Sequence, residues 1–175
     1  KIIGSSTPGR RRALESSTAL AGRVRVTQSS TGAYSFLWAY DGHVTLWLEN
    51  LDVSGWWVSG NYYVIDIGEK SVVTVRNCRF AENNAEVVLS LKKHYDLGGV
   101  AYSAELTLDH SEFADNEAES AVRVHADNAK VIINGSTFVR HEGVDQSWAP
   151  VNVVIYGRNS TVLVHGSDFV DNQGS

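Results

Sequence analysis

An eight-position pattern recurs along the chain, and no other feature limits its possible folds so strongly. Val73-Thr74-Val75-Arg76-Asn77-Cys78-Arg79-Phe80 aligns with Leu106-Thr107-Leu108-Asp109-His110-Ser111-Glu112-Phe113. Val131-Ile132-Ile133-Asn134-Gly135-Ser136-Thr137-Phe138 and Val162-Leu163-Val164-His165-Gly166-Ser167-Asp168-Phe169 follow, and the earlier Leu46-Trp47-Leu48-Glu49-Asn50-Leu51-Asp52-Val53 carries Val for Phe. The first and third positions are aliphatic, the sixth is small or apolar, and the eighth is a large anchor. Alternation sends the first and third side chains to one face, and their β-branched character suits a strand. A polar bend follows each anchor: Ala81-Glu82-Asn83-Asn84, Ala114-Asp115-Asn116-Glu117, Val170-Asp171-Asn172-Gln173 and the variant Val139-Arg140-His141-Glu142. Asn and Asp tolerate left-handed backbone angles and bond their own main chain at such bends. Another strand precedes each copy, at Val64–Ile67, Ala121–Val124 and Val153–Tyr156. Each unit therefore needs at least two strands and two corners.

The anchors Phe80, Phe113, Phe138 and Phe169 lie 33, 25 and 31 residues apart, within the range of solenoid repeats. A unit of this size cannot bury its apolar face alone; stacking copies ~4.8 Å apart in parallel does so, and parallel crossovers take the right hand. The expected fold is all-β, a right-handed parallel β-helix (solenoid) of about five coils, with Phe stacked on Phe above a column of Cys78, Ser111, Ser136 and Ser167. An antiparallel sandwich or barrel also accepts short strands and turns, but does not require side chains to recur at matched positions. Residues 35–175 read as the repeats and residues 1–34 as an incomplete first coil or a cap, since solenoid ends need covering. Residues 87–105 read as the longest insertion, with Lys92-Lys93-His94-Tyr95-Asp96 at its tip. A start at Lys1 and the absence of Met suggest a processed chain or a segment of a longer one.

Composition narrows the functions. With 43% hydrophobic and 20% charged residues, the chain can fill a core. A net charge of -5 and scattered histidines offer no basic face for nucleic acid. No apolar run long enough for a membrane-inserted helix is present. The single Cys78 excludes an internal disulfide, and no Cys/His spacing suits zinc. The sequons Asn134-Gly135-Ser136 and Asn159-Ser160-Thr161 fit a secretory route, hence an extracellular or cell-surface location with Asn134 and Asn159 as glycosylation sites.

Over residues 36–172 the copies resemble the repeats of pectin-lyase-like right-handed β-helix proteins, in which a strand, an Asn or Ser turn, a Phe and another Asn turn recur. That superfamily includes pectate lyases, polygalacturonases, phage tailspikes and non-catalytic surface proteins, so the resemblance implies a fold far more than a reaction. Leu108-Asp109-His110-Ser111 is similar to the Trp-Ile-Asp-His stretch of pectate lyases, where a nearby acid helps hold calcium against an acidic sugar. The resemblance thus implies Asp109, His110 and Asp115 as an alternative catalytic set for a polysaccharide lyase or hydrolase. Other copies place Arg76-Asn77, Asn134-Gly135 and His165-Gly166 at the same corner. The lyase Arg-x-Pro-x-x-Arg stretch and the polygalacturonase motifs are absent.

Two further groups have competing readings. Glu82, Asp115 and Asp171 would form an acidic column, either a calcium (Ca2+) site or a solvated corner. Phe36, Trp38, Tyr40, Trp47, Trp56 and Trp57 concentrate early in the chain, either as an exposed binding surface for sugar or another subunit, or as packing under the N-terminal segment. Cys78, at an inward position, reads as an inert core residue. The function expected on these grounds is a non-catalytic structural, assembly or adhesion module. Its partners would be other protein subunits or further β-helix segments, with polysaccharide binding or cleavage as the alternative.

Overall fold

The computed structural model describes residues 2–3, 23–28, 35–39, 43–58, 62–68, 70–92, 103–143 and 151–173. They form three parallel sheets and, among the described residues, no helix. Numbered in chain order, the first sheet holds β1 (Ile2–Ile3), β4 (Thr45–Glu49), β7 (Val72–Arg76), β10 (Glu105–Asp109), β13 (Lys130–Asn134) and β16 (Thr161–His165). The second holds β2 (Val24–Thr27), β5 (Leu51–Ser54), β8 (Arg79–Ala81), β11 (Glu112–Ala114), β14 (Thr137–Val139) and β17 (Asp168–Val170). The third holds β3 (Leu37–Ala39), β6 (Tyr63–Gly68), β9 (Asn84–Lys92), β12 (Glu117–His125) and β15 (Val151–Tyr156). Each strand pairs with its counterpart one coil away, so the chain is a parallel β-helix with three strands per coil. The first coil, β1 to β3, is fragmentary among the described residues; β4 to β15 make four complete coils, and β16 and β17 begin another. That is fewer than the five expected, because the last copy of the pattern has no third strand among the described residues.

The aligned pattern is the register of the stack. Leu46, Val73, Leu106, Val131 and Val162 pair in one column, and Leu48, Val75, Leu108, Ile133 and Val164 in the next. From Leu46 to Ile133 these side chains are buried in one core. Phe80, Phe113, Phe138 and Phe169 stack with ring centroids 5.0, 5.0 and 4.7 Å apart. A third strand per coil exceeds the minimum of two and corrects one reading: Val87–Leu91 is not the start of an insertion but the middle of β9, buried and paired with β6 and β12. Its alternation is blurred because Val87, Val88 and Leu89 are all buried. Residues 93–102, including most of the expected tip, lie outside the described set, as do residues 4–22 and 29–34 of the N-terminal segment.

At the described corners the bend carries a left-handed residue, and these bends stack. At the first corner φ is positive at Asn50, Asn77, His110, Gly135 and Gly166; at the second, at Gly55, Glu82, Asp115, Arg140 and Asp171; at the third, at Lys70, Asn128 and Asn159. Two ladders satisfy the buried polar groups beside these bends. The Ser111 hydroxyl accepts from the Cys78 N–H (3.2 Å), Ser136 from Ser111 (3.2 Å) and Ser167 from Ser136 (3.1 Å). Asn83, Asn116 and Asn172 make the second ladder: each amide donates to the anchor carbonyl of the preceding coil, Val53, Phe80 or Phe138. Their oxygens accept from the N–H of Trp56, Asn83 and His141 respectively. Cys78 sits in the serine column, fully buried, and burial pushes its thiol pKa up, which keeps it protonated and inert.

A truncation at the centre of the phenylalanine stack leaves a cavity between two rings, whereas Phe169 at the last coil is 45% exposed. Phe113→Ala is expected to cost about 3–5 kcal/mol and Phe169→Ala clearly less, measured by denaturant unfolding of the two variants.

Candidate functional site

The outer faces of the three sheets differ in what they expose. On the second sheet the positions flanking the inward anchors, Asp52, Ser54, Ala81 and Ala114, are buried; on the third sheet Asp66 and Ser90 are buried as well. The first sheet is open: Trp47 is 38%, Val72 43% and Leu163 57% exposed. Its outward columns run Trp47, Thr74, Thr107, Ile132, Leu163 and, beside it, Glu49, Arg76, Asp109, Asn134, His165. Where this face turns the first corner, Glu49, Asn50, Arg76, Asn77 and His110 line a groove of about 490 Å³. Trp47 therefore shares a face with the Asp-His corner, and this face is the candidate site. Trp47 points outward because Leu46 and Leu48 on either side point into the core.

The remaining aromatics do not join it. Trp56 is 7% exposed, and Phe36 packs partly buried against it with ring centroids 5.6 Å apart, so neither belongs to an exposed row. The cause for Trp56 is register: it precedes Asn83 in the inward ladder column and its N–H donates to Asn83. Trp38 (68% exposed) lies on the outer face of the third sheet, paired with Asp66. Trp57 (58% exposed) bridges to Asn84 at the corner between second and third sheets. Trp47, Trp38 and Trp57 thus occupy different sides of the coil, and Tyr40 lies outside the described residues.

The Asp109 carboxylate is fully engaged. Oδ1 accepts from Asn134 Nδ2 (2.9 Å) and lies 2.7 Å from His110 Nδ1, and Oδ2 is 3.2 Å from Arg76 Nε. Burial alone pushes this carboxyl up, but the hydrogen bonds from Asn134 and His110 and the charges of His110 and Arg76 outweigh it and hold it below the ordinary range. An anion so held is a poor proton donor and a weak base. His110 takes its left-handed backbone angle from the corner column, not from a catalytic demand. Asp115 lies beyond β11 at the second corner, where Arg140 binds it through Nε and, at 2.8 Å, through Nη2. The three members of the alternative catalytic set therefore sit on two corners.

Glu82, Asp115 and Asp171 do share a column, but Arg140 stands between Asp115 and Asp171 and neutralises its neighbour. Among the described residues no group of three His, Cys, Asp or Glu side chains could hold a metal ion. Of the sequons, Asn159 is exposed at the third corner, whereas Asn134 spends its amide on Asp109 and precedes a buried Ser136.

Arginines bridging coils recur beyond this site. Arg79 lies 3.6 Å from both Asp52 and Glu112. Arg123 binds Glu86 (2.6 Å) and Glu119 (2.8 Å), with Tyr63 and Lys92 completing the cluster on the third sheet. Pairwise reading of the sequence misses these clusters, since Arg123 and Glu86 are 37 residues apart; the repeat register was the signal that could have joined them. No protein-family model matches the chain, and neither curated proteins nor solved structures give a match.

Because the folded Asp109 pKa is depressed, its contribution to stability is present above the unfolded carboxyl value and disappears as pH falls through the folded value. Asp109→Asn is expected to lower stability at pH 7 by about 1 kcal/mol or less, as suits a partly exposed pair, and to flatten the stability profile below pH ~4. Denaturant titrations at pH 7 and pH 3 check both.

Proposed function

We propose that the chain is a non-catalytic structural and adhesion module of the pectin-lyase-like β-helix type, acting outside the cell or on its surface. Its contact surface in this reading is the outer face of the first sheet. The observation that carries it is the state of the charged groups: Asp109 and Asp115, the carboxylates best placed for chemistry by sequence, are each held by an arginine from a neighbouring coil. Charge on the outside is thereby spent on joining coils, as a scaffold requires. Partners of this class are other protein subunits or further β-helix segments, which suit an outer face exposing Trp47 and Val72. Secretion is supported by the exposed Asn159 sequon, whose glycan would point away from the stack.

Polysaccharide binding is the second reading, favoured by Trp47 beside a groove lined with Glu49, Asn50, Arg76 and Asn77. An aromatic ring offers a stacking platform for a sugar, and the groove beside it is polar.

The test incubates the chain, with and without calcium, with acidic and neutral polysaccharides and scores both retention and release of reducing or unsaturated ends. No release is expected. Retention lost by about ten-fold or more in Trp47→Ala would assign the face to sugar; no retention leaves protein partners. Release by the unaltered chain that Asp109→Ala abolishes would overturn the non-catalytic reading.

A further inference from the structure

One position breaks the asparagine ladder. In the column Trp56, Asn83, Asn116, His141, Asn172 an imidazole stands where the coils on either side have a carboxamide, and His141 is completely buried. Asn116 donates to the Phe80 carbonyl and Asn172 to the Phe138 carbonyl, so the equivalent bond at His141 would run to the Phe113 carbonyl. The ring does not make it: neither Nδ1 nor Nε2 has a hydrogen-bond partner, although the His141 N–H is held by Asn172. A neutral imidazole in this position is tolerated as an apolar ring. A protonated one would be a buried cation with two donors and nothing to receive them.

The charged groups at this corner face outward. Arg140 and Glu142 flank His141, Asp115 and Glu117 lie one coil before and Asp171 one coil after, and all five line an open groove of about 540 Å³. Arg140 is held by Asp115, and the neighbours of the ring within its own column are the neutral amides Asn116 and Asn172. Among the described residues no counter-ion is therefore positioned to stabilise an imidazolium without movement of the corner.

We propose that His141 is an acid-operated latch in the coil stack: when its imidazole takes up a proton, the coils from β13 to β17 open while the β7–β9 coil stays closed. Local opening follows from the architecture, because each coil of a solenoid is held only by its neighbours and does not commit the whole stack. Burial lowers the His141 pKa from 6.5 to about 4, and no other group contributes. The open form therefore binds the proton first. Closure weakens as pH falls from about 6.5 towards 4 and changes no further below that through this residue. This inference does not depend on which surface binds a partner; it makes the C-terminal coils acid-releasable in either reading.

The test is amide hydrogen exchange on the whole chain at pH 7 and pH 5, corrected for the intrinsic pH dependence of exchange. The opening equilibrium of residues 130–143 and 151–173 is expected to rise about twenty-fold between pH 7 and pH 5, the change linked to a pKa displaced from 6.5 to about 4. Residues 72–92 should change little. In His141→Asn, whose amide can donate to the Phe113 carbonyl and accept from the Asn116 N–H, the acid response should vanish. Should that variant fail to fold, ring NMR of histidine-labelled wild-type chain decides: His141 must stay neutral in the closed form down to about pH 4. Equal loosening of all coils, an unaltered response in His141→Asn, or a His141 ring that titrates near 6.5 with the coils closed would each overturn the proposal.

Discussion

Everything in this molecule depends on parallel pairing of each residue with its counterpart one coil away, at the ~4.8 Å spacing of neighbouring strands. That spacing converts a sequence repeat into columns, and each column must be chemically compatible with itself. Aromatic rings meet the demand by stacking, as Phe80, Phe113, Phe138 and Phe169 do. Serine and asparagine meet it by carrying both donor and acceptor, so each side chain can serve the coil on either side. Opposite charges meet it where acids alternate with arginines, as in Asp52, Arg79 and Glu112 and in Glu49, Arg76 and Asp109, whereas Glu117 pairs directly with Glu142 at the second corner.

This logic decides what the corners can do. A reactive carboxylate needs a displaced pKa and an open coordination position, but Asp109 and Asp115 are drawn into the same inter-coil pairing that stabilises the stack. The left-handed angles at His110 and Asp115 are likewise shared with Asn77 and Glu82, so backbone strain there reports the path of the coil. What remains distinctive on the outside is Trp47, large and half-exposed in a column otherwise of Thr, Ile and Leu. What remains distinctive inside is His141, which stands between two amides of the ladder yet bonds neither coil through its ring.

The repeat was legible because the anchors are bulky and their intervals regular enough to align. From that alignment the inward columns, the Phe stack and the inward Cys78 follow. The third strand was partly hidden: Ala121–Val124 reads as a strand, but Val87–Leu91 runs into a long polar stretch and shows no period of two, since its consecutive residues in β9 are all buried. The serine ladder read only as a column of small residues, because hydrogen bonds from its hydroxyls depend on the approach of the next coil.

For the site, the outward direction of Trp47 was fixed by the leucines on either side, a purely local argument. The early aromatics were not separable in this way, because a one-residue change of register exchanges core and surface; only the folded coils bury Trp56, lay Phe36 partly buried against it and put Trp38 and Trp57 on other sides. The sequence by itself determined that matched side chains would stack, since each repeat is too small to bury its own apolar face. Only the tertiary structure decided that Arg76 meets Asp109, that Arg140 meets Asp115 and that His141 is left without a partner. Those outcomes rest on distances between coils, which a period in the sequence sets only to within the looped residues at each corner.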